Sequence, residues 1–240
     1  MKETAALALG TVLLAFVMPQ CTGQKLLGHL DTMDGHVQKD IVNLMNTLRR
    51  NVKPKAANML KLKWNEEAAT IAELWVRKCN FNHSPIAQRT LNATTCGEIM
   101  YKTNYAASWE HVINTWYKQE DNFTYGMGER TPYAWIAHYT QLVWAQSHEV
   151  GCQVALCDKD FIYSCNFCPA GNEYTRMGLP YESGDSCGRC PKDCDAGLCT
   201  NPCPYHDKYI NCQALKGDCL SDSLVRTGCQ ATCKCTTEIK

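Results

Sequence analysis

Beyond Met18 the chain has no apolar run approaching eighteen residues, so no later stretch is read as a membrane-spanning helix. It also lacks an excess of charge, since 24 Lys plus Arg balance 24 Asp plus Glu. That removes the strong field by which proteins capture nucleic acid or anionic membrane, and no nucleic-acid partner is expected. Neither His-Glu-x-x-His nor Gly-x-Ser-x-Gly occurs, so two familiar routes to hydrolysis, the zinc-binding helix and the nucleophile elbow, are missing.

Cysteine is abundant, with seventeen residues. The chain opens with Lys2, an apolar run from Ala5 to Met18, then Pro19 and small residues. This reads as a signal peptide over residues 1–23, with a charged start and an h-region too short to span a bilayer. Cleavage after Gly23 would remove Cys21, and seventeen less one leaves sixteen. An even set in an oxidising compartment implies eight disulfides and a secreted, extracellular protein without a transmembrane segment.

Three amphipathic helices follow. Val37, Ile41, Leu44, Met45 and Leu48 form a helical stripe over 36–51, with Arg49 and Arg50 near its C-terminal end, where the helix dipole favours cations. Asn65 is expected to cap a second helix, with Glu66 and Glu67 in its first turn and Ala68, Ile71, Trp75 and Cys79 on its buried face. Ser108 is expected to cap a third, bearing Trp109, Val112, Ile113 and Trp116. The runs 150–157 and 161–167 are rich in β-branched, aromatic and cysteine residues and predict an antiparallel hairpin around Asp158-Lys159-Asp160. Helices first and strands later predict an α+β fold, helices layered on an antiparallel sheet.

Ten cysteines fall between Cys187 and Cys235 with few large aliphatics. Such a segment must be stapled, which places a linker over about 171–186 and a small second domain after it. Cys165-x-x-Cys168 and Cys187-x-x-Cys190 have a zinc-ribbon spacing, but in a secreted chain with an even cysteine set disulfides are the favoured reading.

His138-Tyr-Thr-Gln-Leu-Val-Trp144 sets a polar half suited to a cleft beside an apolar half suited to a core. About twenty residues on comes Tyr163-x-Cys165-Asn166-x-Cys168-Pro169-Ala170-Gly171-Asn172. The pair resembles the two signature motifs of the CAP superfamily, secreted proteins related to plant pathogenesis-related protein 1 and insect venom antigen 5. The run Cys187 to Cys203 is similar to the hinge of the cysteine-rich secretory proteins. Cys203, Cys212, Cys219, Cys229, Cys233 and Cys235 resemble their ion-channel-regulatory domain, itself like small sea-anemone potassium-channel toxins. Leu44 to Trp64 also matches, and the mammalian reproductive-tract members look most alike.

The resemblance implies an α-β-α layered CAP domain over 30–170, a linker and hinge over 171–202, and a disulfide-rich helical module over 203–235. Carried over by cysteine order, the pairs are Cys79–Cys157, Cys96–Cys168, Cys152–Cys165, Cys187–Cys194, Cys190–Cys199, Cys203–Cys235, Cys212–Cys229 and Cys219–Cys233. It also implies a cleft of two histidines and two acids, here His83, Glu98 and His138 with Gln119 at the second acid position. Glu120 is adjacent but would point about 100° away on a continuing helix. Two neutral imidazoles can hold zinc, so His83 and His138 are the candidate metal ligands, with an amide at 119 weakening the site. No catalytic residue and no required cofactor is assigned.

Asn82, Asn92 and Asn122 head glycosylation sequons, of which Asn92 and Asn122 are the expected sites, while Asn82 beside His83 is expected to be enclosed. Lys208-Tyr209 is a candidate channel contact, a cation paired with an aromatic. The expected function is non-enzymatic: binding to sperm or egg surface proteins and modulation of an ion channel, in sperm maturation or sperm–egg interaction. A metal-assisted hydrolase and a sterol or lipid carrier are the alternatives.

Overall fold

Asp34 starts the first helix by accepting a hydrogen bond from the His36 amide at 2.8 Å, which satisfies one of the free donors of a helix N-terminus. The computed structural model describes residues 28–91, 94–209 and 211–240, so the signal peptide and Asn92 lie outside the described residues. Helix α1 spans Gly35–Arg50, burying Ile41 and Met45, with Val37, Leu44 and Leu48 packed at the edge of the main core. It also buries Arg49 completely, although the sequence suggests only a cation near a helix end. The Arg49 guanidinium donates to the carbonyls of Leu60, Leu142, Trp144, Ala145 and Ser147 at 2.7 to 3.3 Å.

Short strand β1 is Lys63–Trp64 and helix α2 is Glu66–Val76, capped by the Asn65 side chain. The buried face of α2 is Ala68, Ala69, Ala72, Trp75 and Val76, not the stripe through Ile71 and Cys79. The reason is close approach to the sheet. A Cβ on Gly151 would sit 2.0 Å from the Ala69 nitrogen, so the alanine face meets bare backbone and Ile71 is turned to the side. Cys79 lies beyond the helix with φ of +55°.

Strand β2 is Gly97–Thr103, and helix α3, Trp109–Tyr117, is capped by Ser108 and continues as a 3-10 turn over Lys118–Asn122. Helix α4 is Ala137–Leu142, and β3 (Glu149–Cys157) with β4 (Asp160–Cys168) forms the central hairpin. The sheet order is β1-β3-β4-β2, antiparallel except that β1 runs parallel to β3. One face carries Ile99, Cys152, Val154, Tyr163, Cys165 and Phe167 into the main core with α1, α3 and α4. The other presents Met100, Cys157 and Ile162 to Trp75 and Val76 of α2. The result is three layers, helix, sheet and helix, stapled by disulfides 79–157, 96–168 and 152–165.

Residues 171–186 do not behave as a free linker. Tyr181 is 2% exposed in the main core, and the amides of Ala145 and Ala57 donate to the carbonyls of Pro180 and Glu182, each at 2.8 Å. The hinge, with disulfides 187–194 and 190–199, is also docked: Leu198 joins the main core, and Cys187, Cys190 and Cys199 pack with Leu60 and Ile239. A chain poor in aliphatics has placed its few apolar groups and its disulfides against the neighbouring loop. The last module holds α5 (Ser223–Gly228) and α6 (Gln230–Lys234), with disulfides 203–235, 212–229 and 219–233.

Candidate functional site

His83 comes from the loop after α2, Glu98 from edge strand β2, Gln119 from the 3-10 turn after α3, and His138 from the first turn of α4. Four separate elements supply these side chains, as a site mounted on a rigid scaffold requires. They assemble as two pairs. His83 Nδ1 lies 3.0 Å from Glu98 Oε1, which also accepts from the Ser84 amide at 2.8 Å. Gln119 Nε2 lies 3.0 Å from His138 Nδ1, while Gln119 Oε1 accepts from the His138 amide at 2.9 Å.

Electrostatics differ between the pairs. Burial alone would raise the Glu98 carboxyl, but hydrogen bonds from His83 and Ser84 outweigh it and hold the group below its ordinary value. The carboxylate is fully buried while the His83 side chain is 60% exposed, so solvent reaches the site from the His83 side. Burial, reinforced by the nearby His83 charge, pushes His138 down to about 4 and leaves it neutral at physiological pH. Glu120 does not substitute for the missing acid. It sits beside Tyr117, where burial raises its pKa against the opposing pull of the Tyr117 hydroxyl.

The polar half of the first motif does not line the cleft beyond His138. Tyr139, Thr140 and Gln141 are at most 1% exposed. Thr140 Oγ1 lies 2.7 Å from Asn172 Oδ1, Asn172 Nδ2 donates to the Ala137 carbonyl at 2.8 Å, and Gln141 Oε1 accepts from the Gly171 amide at 3.0 Å. These residues clamp the second motif to α4. Gly171 has to be glycine here, because a Cβ would lie 2.5 Å from the Trp144 ring. Sequence reasoning missed the Ser84 amide, and it missed that Arg49 is buried against backbone carbonyls, since neither carries a motif signal.

The donor set does not suit zinc. Among the described residues, the three-ligand group within 4.8 Å is Cys187, Cys190 and Cys199, and disulfides occupy all three. His83 and His138 gain no third His, Cys, Asp or Glu ligand there, and Gln119 offers His138 Nδ1 a donor where a metal-bound histidine requires an acceptor.

Elsewhere, Asn122 is exposed, and so is Asn82, contrary to the enclosure expected from its neighbour His83. Asn82 turns its carbonyl to Trp75 Nε1 at 2.7 Å and its amide to Asn80. Lys208 and Tyr209 are exposed, and the Tyr209 ring rests where a Cβ on Gly228 would be 2.2 Å away.

A model of the Cysteine-rich secretory protein family matches residues 42–167, and a Crisp model matches 187–240. The chain belongs to the cysteine-rich secretory protein family. It is 44% identical to human Cysteine-rich secretory protein 3 over 213 residues, 87% of this chain and 86% of that protein. Its fold is similar to that of NaASP2, solved with Zn2+, at 26% identity and a TM-score of 0.59, covering 70% of this chain and 96% of that one. BmVAL-1 is similar at 26% identity and a TM-score of 0.56, with 75% and 98% covered. Gln119, expected at the second acid position of the cleft, is an amide that bonds His138 instead.

Proposed function

We propose that this is a secreted, non-enzymatic protein that binds cell surfaces, sperm among them, and modulates an ion channel through residues 203–235, in sperm maturation or sperm–egg interaction. The observation that supports this is how that module is built. Its two small clusters, Cys203 with Ala231 and Cys235, and Cys212 with Val225 and Cys229, face inward. Lys208, Tyr209, Leu220 and Leu224 are left exposed. A lysine ammonium can enter a ring of pore carbonyls while an aromatic packs against the vestibule. Membrane-current recording and calcium imaging on sperm with the full-length protein test this. Wild-type protein should alter the current, and Lys208→Glu should weaken the effect by reversing the charge offered to the pore. Wild-type protein without effect overturns the reading. A glycan at exposed Asn122 belongs to the same proposal.

A sterol or lipid carrier is supported by two small apolar clefts, one of about 340 Å³ between α1 and α3 lined by Val37, Ile41, Leu44, Trp109 and Ile113, and one of about 380 Å³ beside α2 lined by Ile71, Leu74 and Trp75. Asp40 and Glu110 also line the first, and both volumes sit at the low end for ligand sites. Retention of labelled cholesterol by the purified protein would favour the carrier. The hydrolase alternative loses ground to Gln119, which supplies neither charge nor a general base, and zinc is given no part in the proposed activity.

A further inference from the structure

We infer that Gln119 holds His138 in the tautomer protonated at Nε2, so the cleft pairs one imidazole acceptor with one imidazole donor instead of forming a two-imidazole metal seat. The assignment follows from what each atom can do. The His138 backbone N–H can only donate, so the Gln119 atom 2.9 Å from it is the amide oxygen, and the amide orientation is fixed. The amide nitrogen of the same side chain is then the atom 3.0 Å from His138 Nδ1. An amide NH₂ can only donate, so Nδ1 carries the lone pair and the ring proton sits on Nε2.

His83 has the reverse arrangement. Its Nδ1 faces a carboxylate oxygen at 3.0 Å, and a carboxylate only accepts, so Nδ1 carries the proton. In a neutral His83 the lone pair is on Nε2. Metal-bound histidines give their second ring N–H to an acceptor, as His83 does and His138 does not.

Recruiting His138 Nε2 to a metal would require a proton on Nδ1. The amide would then have to leave or flip, and a flip sets its NH₂ against the His138 amide, donor against donor. A glutamate at 119 would accept from both groups at once. One amide oxygen exchanged for nitrogen therefore decides which nitrogen of a ring on another element carries the hydrogen.

Long-range proton–nitrogen correlation spectra of full-length, disulfide-bonded protein with labelled histidine test this directly. His138 should show a protonated Nε2 and a bare Nδ1, and His83 the reverse. Gln119→Glu should switch His138 to a protonated Nδ1 and tighten zinc binding, followed by calorimetry with the metal alone, by about 10- to 100-fold. A protonated His138 Nδ1 in the wild-type protein overturns the inference. Equal zinc affinity in the two forms, with Gln119→Glu folded, overturns it as well.

Discussion

Thr140 Oγ1 lies 2.7 Å from Asn172 Oδ1, and through this contact the two sequence motifs hold each other in place. Thr140 is fully buried and its neighbour Gln141 fixes Gly171. Thr140→Val keeps the shape but removes the donor and strands a partly buried acceptor. It should cost about 1–3 kcal/mol in denaturant unfolding. A change within experimental error would mean that Asn172 is held by its Ala137 contact alone.

Arg49 should be the least replaceable residue of α1. Burial pushes its pKa down to about 9, which still leaves it charged at neutral pH. Arg49→Met would fill much of the volume but leave the carbonyls of Leu60, Leu142, Trp144, Ala145 and Ser147 without this donor. The Ala145 and Trp144 carbonyls still accept from the amides of Leu60 and Ser147, so three carbonyls are stranded at about 1–3 kcal/mol each, and a loss of about 3 kcal/mol or more, or a failure to secrete, is expected. Secreted Arg49→Met protein with wild-type thermal stability would refute this.

Gly151→Ala places a methyl 2.0 Å from the Ala69 nitrogen and 2.5 Å from the Ala68 carbonyl carbon, both backbone atoms. Neither can rotate away, so α2 must lift from the sheet. The expected loss is about 1–3 kcal/mol or more, measured by thermal unfolding. If α2 tolerates the methyl at no cost, the packing of its alanine face is looser than the contact implies.

Acid should destabilise the fold before the carboxylates titrate. The His138 pKa falls from 6.5 when unfolded to about 4 when folded, through burial and the nearby His83 charge. Between those values the unfolded chain takes up the proton and the folded chain refuses it, so stability rises with pH across that window and is lost as pH falls. The His148 pKa is also lowered by burial and contributes in the same direction. The depressed Glu98 carboxyl adds a loss at lower pH, as it becomes protonated below the ordinary carboxylate range. Denaturant midpoints should fall between pH 7 and 4.5, with His138 contributing up to about 3 kcal/mol. His138→Asn should flatten the profile; an unchanged slope would assign the effect to other groups.

Thiol chemistry tests the processing site. Sixteen cysteines pair in the structure, in eight disulfides. Secreted protein cleaved after Gly23 should give no thiol labelling under denaturing conditions. Reproducible labelling would show either that Cys21 is retained or that a pair is open.

The sequence by itself determined what local chemistry determines. Asn65 and Ser108 announce helix starts because their side chains accept from the amides three residues on. The hairpin over 149–168 is written in its β-branched and aromatic composition. Gln119 is singled out by the family resemblance, which places the second cleft acid at that position, and Glu120 is set aside by the angle between adjacent helical residues. Facts depending on distant backbone stayed hidden. That Arg49 is buried depends on five carbonyls, four of them more than ninety residues away in the chain. The buried face of α2 was decided by Gly151, which has no side chain to signal its role. The segment read as a linker became part of the core because Tyr181 found space there, and composition averages over such single anchors. The tautomer of His138 depended on its own backbone amide meeting the Gln119 oxygen. Tertiary structure decided it because a histidine's proton goes where the partner of its other nitrogen directs it, and the sequence does not name that partner's orientation.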